Sequence, residues 1–426
     1  MIREIQRWSF PATAFKNMSG RSNDMYLTRE QERILSGERG AAKELAMTIL
    51  AKVGEALGAD SLVPIKSAHV LAHYSSLHEA GIEVLEKFSS SGGRFAVPTT
   101  VDPASVDLEN WKSFGIPEEY AEKQFRLCTA FAKLGGIPCW SCAQYQVCNF
   151  PKAGETVAWA ESNSVVFANS LIGCRTNKIT SGLDIACAIM GMTPRFGMLL
   201  DENRVAQVAF RSAIDRPTDL DYRSLGYYIG RHSGSRVPVL DGLPKKVSSD
   251  ELKHLGAAAA AGGPVTMIHY VGITPGSGSL KSASGGERVE TFDVGRKELD
   301  EVESDLNQSE EKPDLVALGV PHLSVYELGQ LAKFLEGKKL KGGTRMYAYT
   351  SSQAYDLLER TGVKREIERS GARLTHSTDA EISPLKRLGF EVVMTNSAKL
   401  AEIVSSEGAV KIRYKPVAEI VEEVTS

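Results

Sequence analysis

Residues 314–335, DLVALGVPHLSVYELGQLAKFL, decide the fold. Asp314–Val320 is an apolar run of strand length, and from Ser324 to Leu335 the apolar residues recur at helical spacing. The rhythm then repeats. RMYAYTS (345–351) precedes a helix over Ser352–Thr361, ARLTHST (372–378) follows, and EVVMTNS (391–397) leads into a further helical run. Strands alternating with helices at this spacing predict a parallel sheet with helices on its faces, an α/β fold. Ligands of such sheets bind beyond the carboxyl ends of the strands. That rule singles out Val320-Pro321-His322, Thr375–Asp379 and Thr395-Asn396-Ser397.

Toward the N-terminus the pattern is less regular. TREQERILSGERGAAKELAMTILAKVGEALG (28–58) reads as helical, with the capping-box spacing of Thr28 and Gln31 at its start. LVPIKSAHV (62–70) reads as a short strand running into a polar turn, Ser76–Phe88 as a helix and RFAVPTT (94–100) as a strand after the stop Gly92-Gly93. Residues 1–24 are polar and without periodicity, an extension read as disordered; a basic targeting peptide is the minor alternative. The remainder divides into a catalytic region over 25–245 and a C-terminal α/β region over 246–426 that completes the site. In ITPGSGSLKSASGGER (273–288), Leu280 before Lys281 breaks the phosphate-loop pattern, so a connecting or active-site loop is expected. KELDEVESDLNQSEEK (297–312) reads as a solvated helix face and linker.

The 426 residues carry 50 basic and 53 acidic side chains, a formal charge of −3. Near neutrality removes the electrostatic reason to expect nucleic acid or an anionic membrane as partner. No stretch approaches the ~18 apolar residues of a bilayer span. Without an apolar leader run, a secretory signal is not expected and the cytoplasm is the expected compartment.

Between 135 and 204 the chain is low in charge and rich in small polar residues, a composition that fits the lining of a polar cavity. All six cysteines, Cys128, Cys139, Cys142, Cys148, Cys174 and Cys187, fall in or just before this block. They are expected to be reduced thiols, with Cys139, Cys142 and Cys148 as a weak metal or redox group. WAESNSVVFANSLIGCRTNK (159–178) with LLDENR (199–204) offers Glu161, Ser162, Asn163, Asn169, Arg175, Asn177, Asp201, Asn203 and Arg204. Guanidinium and amide groups suit a carboxylate or phosphate, and a neighbouring carboxylate suits proton removal from carbon. Capping and backbone satisfaction explain the same residues singly.

VPIKSAHV (63–70), VPTT (97–100), the long block SCAQYQVCNFPKAGETVAWAESNSVVFANSLIGCRTNK (141–178), LDENR (200–204), PHLSVYEL (321–328) and TNSAK (395–399) resemble the catalytic subunit of the aconitase X family, over about Tyr26 to Val417. The resemblance implies an aconitase-like α/β/α multi-domain architecture. It also implies a hydro-lyase for a small hydroxylated acid such as mevalonate 5-phosphate or cis-3-hydroxyproline, paired with a small swivelling subunit that this chain leaves no room to carry itself. The residues read as catalytic are Glu161, Ser162 and His69, while His69 and His73 each admit a metal-ligand or a plain hydrogen-bonding reading. The substrate ligands are Ser67, Asn163, Arg175, Thr176, Asn177, Asp201, Arg204, Asn396 and Ser397. The family's iron–sulfur thiolates are implied at three places: Cys142 matches the first, Val320 stands at the second and Asp379 at the third. Valine offers no donor atom, so the usual cluster is expected to be lost or altered. A mononuclear divalent metal on His322, His376 and Asp379 is then conceivable. The competing reading is a cluster-free or non-catalytic paralogue that binds a similar anion or pairs with the small subunit.

Overall fold

A computed structural model describes residues 25–180, 182–406, 408 and 410–426; the N-terminal extension read over 1–24 lies outside them. The chain starts with two helices, Arg29–Leu35 and Ala41–Ala56. Thr28 and Gln31 form the expected capping box. The single helix expected from Thr28 is broken because Gly37 and Gly40 adopt φ of 86° and 93°, outside the helical region.

The first unit carries strands β1 (Leu62–Pro64), β2 (Ala68–Val70), β3 (Thr99–Val101), β4 (Ala158–Trp159) and β5 (Met192–Pro194). β1 pairs antiparallel with β5, while β3-β2-β4 form a parallel sheet. LVPIKSAHV therefore supplies two strands to two different sheets rather than one. Helices Ala41–Ala56, Tyr74–Ser90, Glu118–Leu134 and Leu183–Met190 share a core with the sheet through Leu50, Phe88, Leu127, Phe131 and Ile189.

The second unit holds β6 (Val208–Ser212), β7 (Pro238–Asp241), β8 (His269–Tyr270) and β9 (Glu290–Val294), all parallel, in the order β8-β7-β6-β9. A boundary between 245 and 246 cuts through this sheet, so the division suggested by the sequence does not coincide with a break between sheets. Helices Asp219–Ser233 and Ser249–Gly262 cross very closely here. A Cβ at Gly226 would lie 2.1 Å from the Leu255 carbonyl oxygen, and one at Gly230 2.4 Å from that of Ala259. Only glycine permits this approach. The Gly/Ser loop after β8 contains a short helix, Leu280–Ala283, and the acidic run becomes helix Arg296–Leu306, which buries Leu299, Val302 and Leu306.

The third unit is the sheet that the sequence announced. β10 (Leu315–Leu318), β11 (Arg345–Thr350), β12 (Arg373–His376), β13 (Val392–Thr395) and β14 (Lys411–Tyr414) run parallel in the order β12-β11-β10-β13-β14. Val316, Leu318, Met346 and Met394 pack on one face; Leu315, Ala317, Tyr347 and Val393 pack on the other. Both faces are covered, which is why these strands read as continuous apolar runs without alternation. Helix Val325–Leu335 starts at Ser324, whose side chain and Glu327 form a capping box. Helices Val363–Arg369 and Val417–Val424, with β14, went unread in the sequence. The first and third units meet through the buried hydrogen bond from Thr375 Oγ1 to Asp107 Oδ2 at 2.8 Å. Among the described residues no helix is long and apolar enough to cross a membrane.

Candidate active site

The carboxyl ends of two parallel sheets face each other, as the strand-end rule requires. From the first sheet, β2 carries His69, β3 leads into Asp102 and β4 leads into Glu161. Backbone bonds continue the ladder past the strands: the Asp102 N–H donates to the Val70 carbonyl at 3.0 Å, and the Ala160 N–H to that of His69 at 3.0 Å. From the five-stranded sheet, β10 leads to His322, β12 to Asp379 and Glu381, and β13 to Lys399. Cys142 enters on a loop that Asn163 Nδ2 and Ser164 Oγ hold by its carbonyl, at 2.7 and 2.9 Å. His69, Asp102, Cys142, Glu161, His322, Asp379 and Lys399 are all buried.

Lys399 joins the two sheets. Its ammonium lies 2.7 Å from Glu161, 2.9 Å from Glu381 and 3.4 Å from the Asn163 side-chain oxygen. Burial disfavours the Lys399 charge, but Glu161 and Glu381 outweigh it and hold its pKa well above the usual value. Burial likewise opposes ionisation of Glu161, yet the Lys399 charge and hydrogen bond, with the Asn163 N–H, bring its pKa below the ordinary range. Asp102 goes the opposite way, pushed well up by burial and then by the charges of Glu161 and Asp379. Burial and then Glu381 raise Asp379, and burial raises the Cys142 thiol.

The hydrogen bonds give the Asp102 proton an address. His69 Nδ1 lies 2.8 Å from Thr100 Oγ1, whose own hydrogen goes to the Ala68 carbonyl. Nδ1 is therefore the protonated nitrogen. Burial drops the His69 pKa to about 3, so the ring is neutral and Nε2 is bare. Asp102 Oδ1, 3.1 Å from Nε2, then donates. His73 Nε2 stands 3.8 Å from the other Asp102 oxygen.

Among the described residues one His, Cys and carboxylate group converges: donor atoms of Cys142, His322 and Asp379 all lie within 4.8 Å of one another. Of the metal set read from the sequence, His322 and Asp379 are there and His376 is not. The His376 ring is engaged by Ser352 and Ser377 at 3.1 and 2.8 Å and by Tyr355, and Cys142 supplies the third donor instead. A cleft of about 440 Å³ opens beside this group, lined in part by Ser141, Tyr145, Asp250, His322 and Tyr326. The sequence led one to expect six reduced thiols; instead the loop folds back so that Cys139 and Cys148 bond, leaving Cys128, Cys142, Cys174 and Cys187 free.

Other residues singled out by sequence find structural partners. Arg204 donates to the carbonyls of Met198, Asn169 and Cys174 and to Asn169 Oδ1, and burial lowers its pKa to about 10. Arg175 holds the Leu199 carbonyl and Asp201, and Asn177 holds the Phe196 carbonyl. Thr176 bonds Trp159 N–H and Asn177 carbonyl, while Asn203 bonds the Gly197 carbonyl. Together they brace residues 169–204. Ser67 accepts from the Trp159 indole, Asn396 reaches Asp219, and Ser397 caps the helix that carries Lys399. Ser162 Oγ lies 3.3 Å from Glu161. Sequence reasoning missed Asp102, Lys399 and Lys178. The first two sit just past the strand segments VPTT and EVVMT, so the strand-end rule applied to every strand finds them. Lys178 is exposed at the surface, yet desolvation of its ammonium lowers its pKa, against the opposing pull of Glu161.

Known proteins share this fold. Residues 24–202, 206–304 and 313–426 match the aconitase X first, second and third domains. The chain is 34% identical to the phosphomevalonate dehydratase large subunit of Methanocaldococcus jannaschii, over 88% of this chain and 94% of that one. It is 35% identical to the cis-3-hydroxy-L-proline dehydratase of Pseudomonas aeruginosa, over 97% of this chain and 71% of that one. The crystal structure of Thermococcus kodakaraensis aconitase X in its holo-form superposes with a TM-score of 0.86 at 34% identity, covering 94% of this chain and all of that one. The chain belongs to the aconitase X family.

Proposed function

We propose that this protein is a hydro-lyase that removes water from a small hydroxylated carboxylic acid of the kind its relatives' names give, phosphomevalonate or cis-3-hydroxy-L-proline. One observation carries the reading. Two carboxyl groups in one buried site are driven apart in ionisation, Glu161 toward the charged form and Asp102 toward the protonated form. Such a split assigns a base and an acid. Glu161 takes the proton from the carbon beside the substrate's acid group, and the proton held between Asp102 and His69 is available to the departing hydroxyl. Lys399 keeps Glu161 ionised, and Lys178 supplies a cation to an anionic end of the substrate.

The family implies an iron–sulfur cluster, which calls for several thiolates. The converging donors here comprise one thiol, one imidazole and one carboxylate. A cluster held by three thiolates does not fit that set, and we read the cofactor as altered. Relatives named as large subunits support a small swivelling subunit as partner. The four free thiols support a cytoplasmic setting, against one bonded pair.

The test is incubation with mevalonate 5-phosphate and with cis-3-hydroxy-L-proline, alone and with a small swivelling subunit, reading water loss by mass spectrometry. Dehydration of either acid is the expected result. Binding of an acid or of the subunit without turnover would move the protein to the non-catalytic reading.

A further inference from the structure

We infer that Cys142, His322 and Asp379 form a binding site for a single divalent transition ion of the zinc class, in place of a multi-iron cluster. The three donors come from three separate segments: the loop before Ser162, the end of β10 and the end of β12. Their ligating atoms lie within 4.8 Å of one another. Around one tetrahedral ion, sulfur and nitrogen or oxygen ligands stand about 3.6 Å apart, given bonds of about 2.3 and 2.1 Å. Small side-chain rotations close that difference.

Two further features point to an ion. His322 Nε2 lies 3.0 Å from the Thr378 carbonyl, an acceptor only, so Nε2 carries the hydrogen and Nδ1 is bare. Nδ1 faces only the Ser141 hydroxyl, at 3.1 Å, a partner that can turn away. A backbone carbonyl that locks the tautomer and leaves the other nitrogen free is how proteins prepare a metal-binding histidine. The His322 backbone N–H in turn donates to Cys142 Sγ at 3.3 Å, the bond that favours a thiolate. A thiolate in the set selects zinc, iron or cobalt over magnesium or calcium. Three protein ligands leave a fourth position for water or a substrate oxygen.

This inference deepens the hydro-lyase reading, and its test does not depend on turnover. The full chain is stripped with a chelator and titrated anaerobically with Co²⁺ while the absorption spectrum is recorded. The expected result is about one Co²⁺ per chain, with a near-ultraviolet sulfur-to-cobalt band that Zn²⁺ abolishes. Cys142→Ser should remove the band and weaken Zn²⁺ binding more than about 100-fold, beyond what loss of an outer partner gives. Asp379→Asn should weaken binding while keeping the band, and Cys128→Ser should change neither. Circular dichroism shows which variants are folded. A wild-type chain without the band, a band that survives in folded Cys142→Ser, or sulfide in stoichiometric amount with the iron of freshly purified protein would each overturn the site. A chain that binds the ion yet dehydrates neither acid would overturn the proposed function and leave the site standing.

Discussion

The two sheets that meet at the site contribute different chemistry. In the proposed reaction the three-stranded β3-β2-β4 sheet brings the groups whose protons move: Asp102, His69 and Glu161. The five-stranded sheet brings His322 and Asp379, the proposed metal donors, and Lys399 as a fixed charge. Neither sheet alone makes a site. Glu161 is held ionised chiefly by Lys399, which reaches it from the other sheet, so the charge of a group in the first unit depends on the packing of the third.

This division can be broken or sharpened by substitution. The largest effect is expected at Glu161. Glu161→Gln should lower kcat by about 10²–10⁴-fold, the usual worth of a positioned base, with KM little changed. A variant within tenfold of wild type would remove Glu161 from the proton-handling side. Next comes Lys399→Met, which strands Glu161 and Glu381 without their cation. Denaturant unfolding should show a loss of about 3–5 kcal/mol, part of it restored when Glu161→Gln is added. If the two changes are simply additive, the link between the sheets is not electrostatic.

A smaller effect follows from pH. Burial lowers His69 to about 3 and His73 to about 4 in the folded chain, against 6.5. The unfolded chain therefore binds more protons below pH 6.5. The stability these neutral rings contribute is complete above that pH and declines as pH falls toward 4. Each histidine contributes a slope of about 1.4 kcal/mol per pH unit. His69→Gln should make the acid limb of a melting-temperature profile shallower; an unchanged limb would place the acid sensitivity elsewhere. The smallest effect is expected at Asp201, a largely solvated partner of Arg175. Asp201→Asn should shift stability by less than about 1 kcal/mol and leave KM within twofold. A marked rise in KM would extend the site to the loop over 197–204.

Much of the five-stranded sheet was legible because its strands are buried on both faces, and a run such as Leu315–Leu318 has no other comfortable setting. The first unit was harder to read. Its strands are two or three residues long, too short for periodicity to register, and proline in LVPIKSAHV marks a change of sheet that a window average blurs. At the site, His322, Asp379, Cys142 and Glu161 were visible as reactive residue types at strand ends or in a polar block. Asp102 and Lys399 were reachable only by applying the strand-end rule to every strand, and the shifts in their ionisation arise from burial and from the Glu161 charge, which sequence does not display. A guanidinium that spends its donors on carbonyls, as Arg204 does, looks the same in sequence as one that waits for an anion.

The crossing at Gly226 and Gly230 has a mechanical consequence. Helix Ser249–Gly262, pressed against those glycines, carries Lys253, whose ammonium donates to the His322 carbonyl at 3.0 Å and pairs with Asp250 and Glu327. The second unit places none of the groups that converge on the site, yet it acts as a strut whose length is set by how close two helices can come. A methyl group added at position 226 would lengthen that strut, and the displacement would be felt at His322, in a different domain.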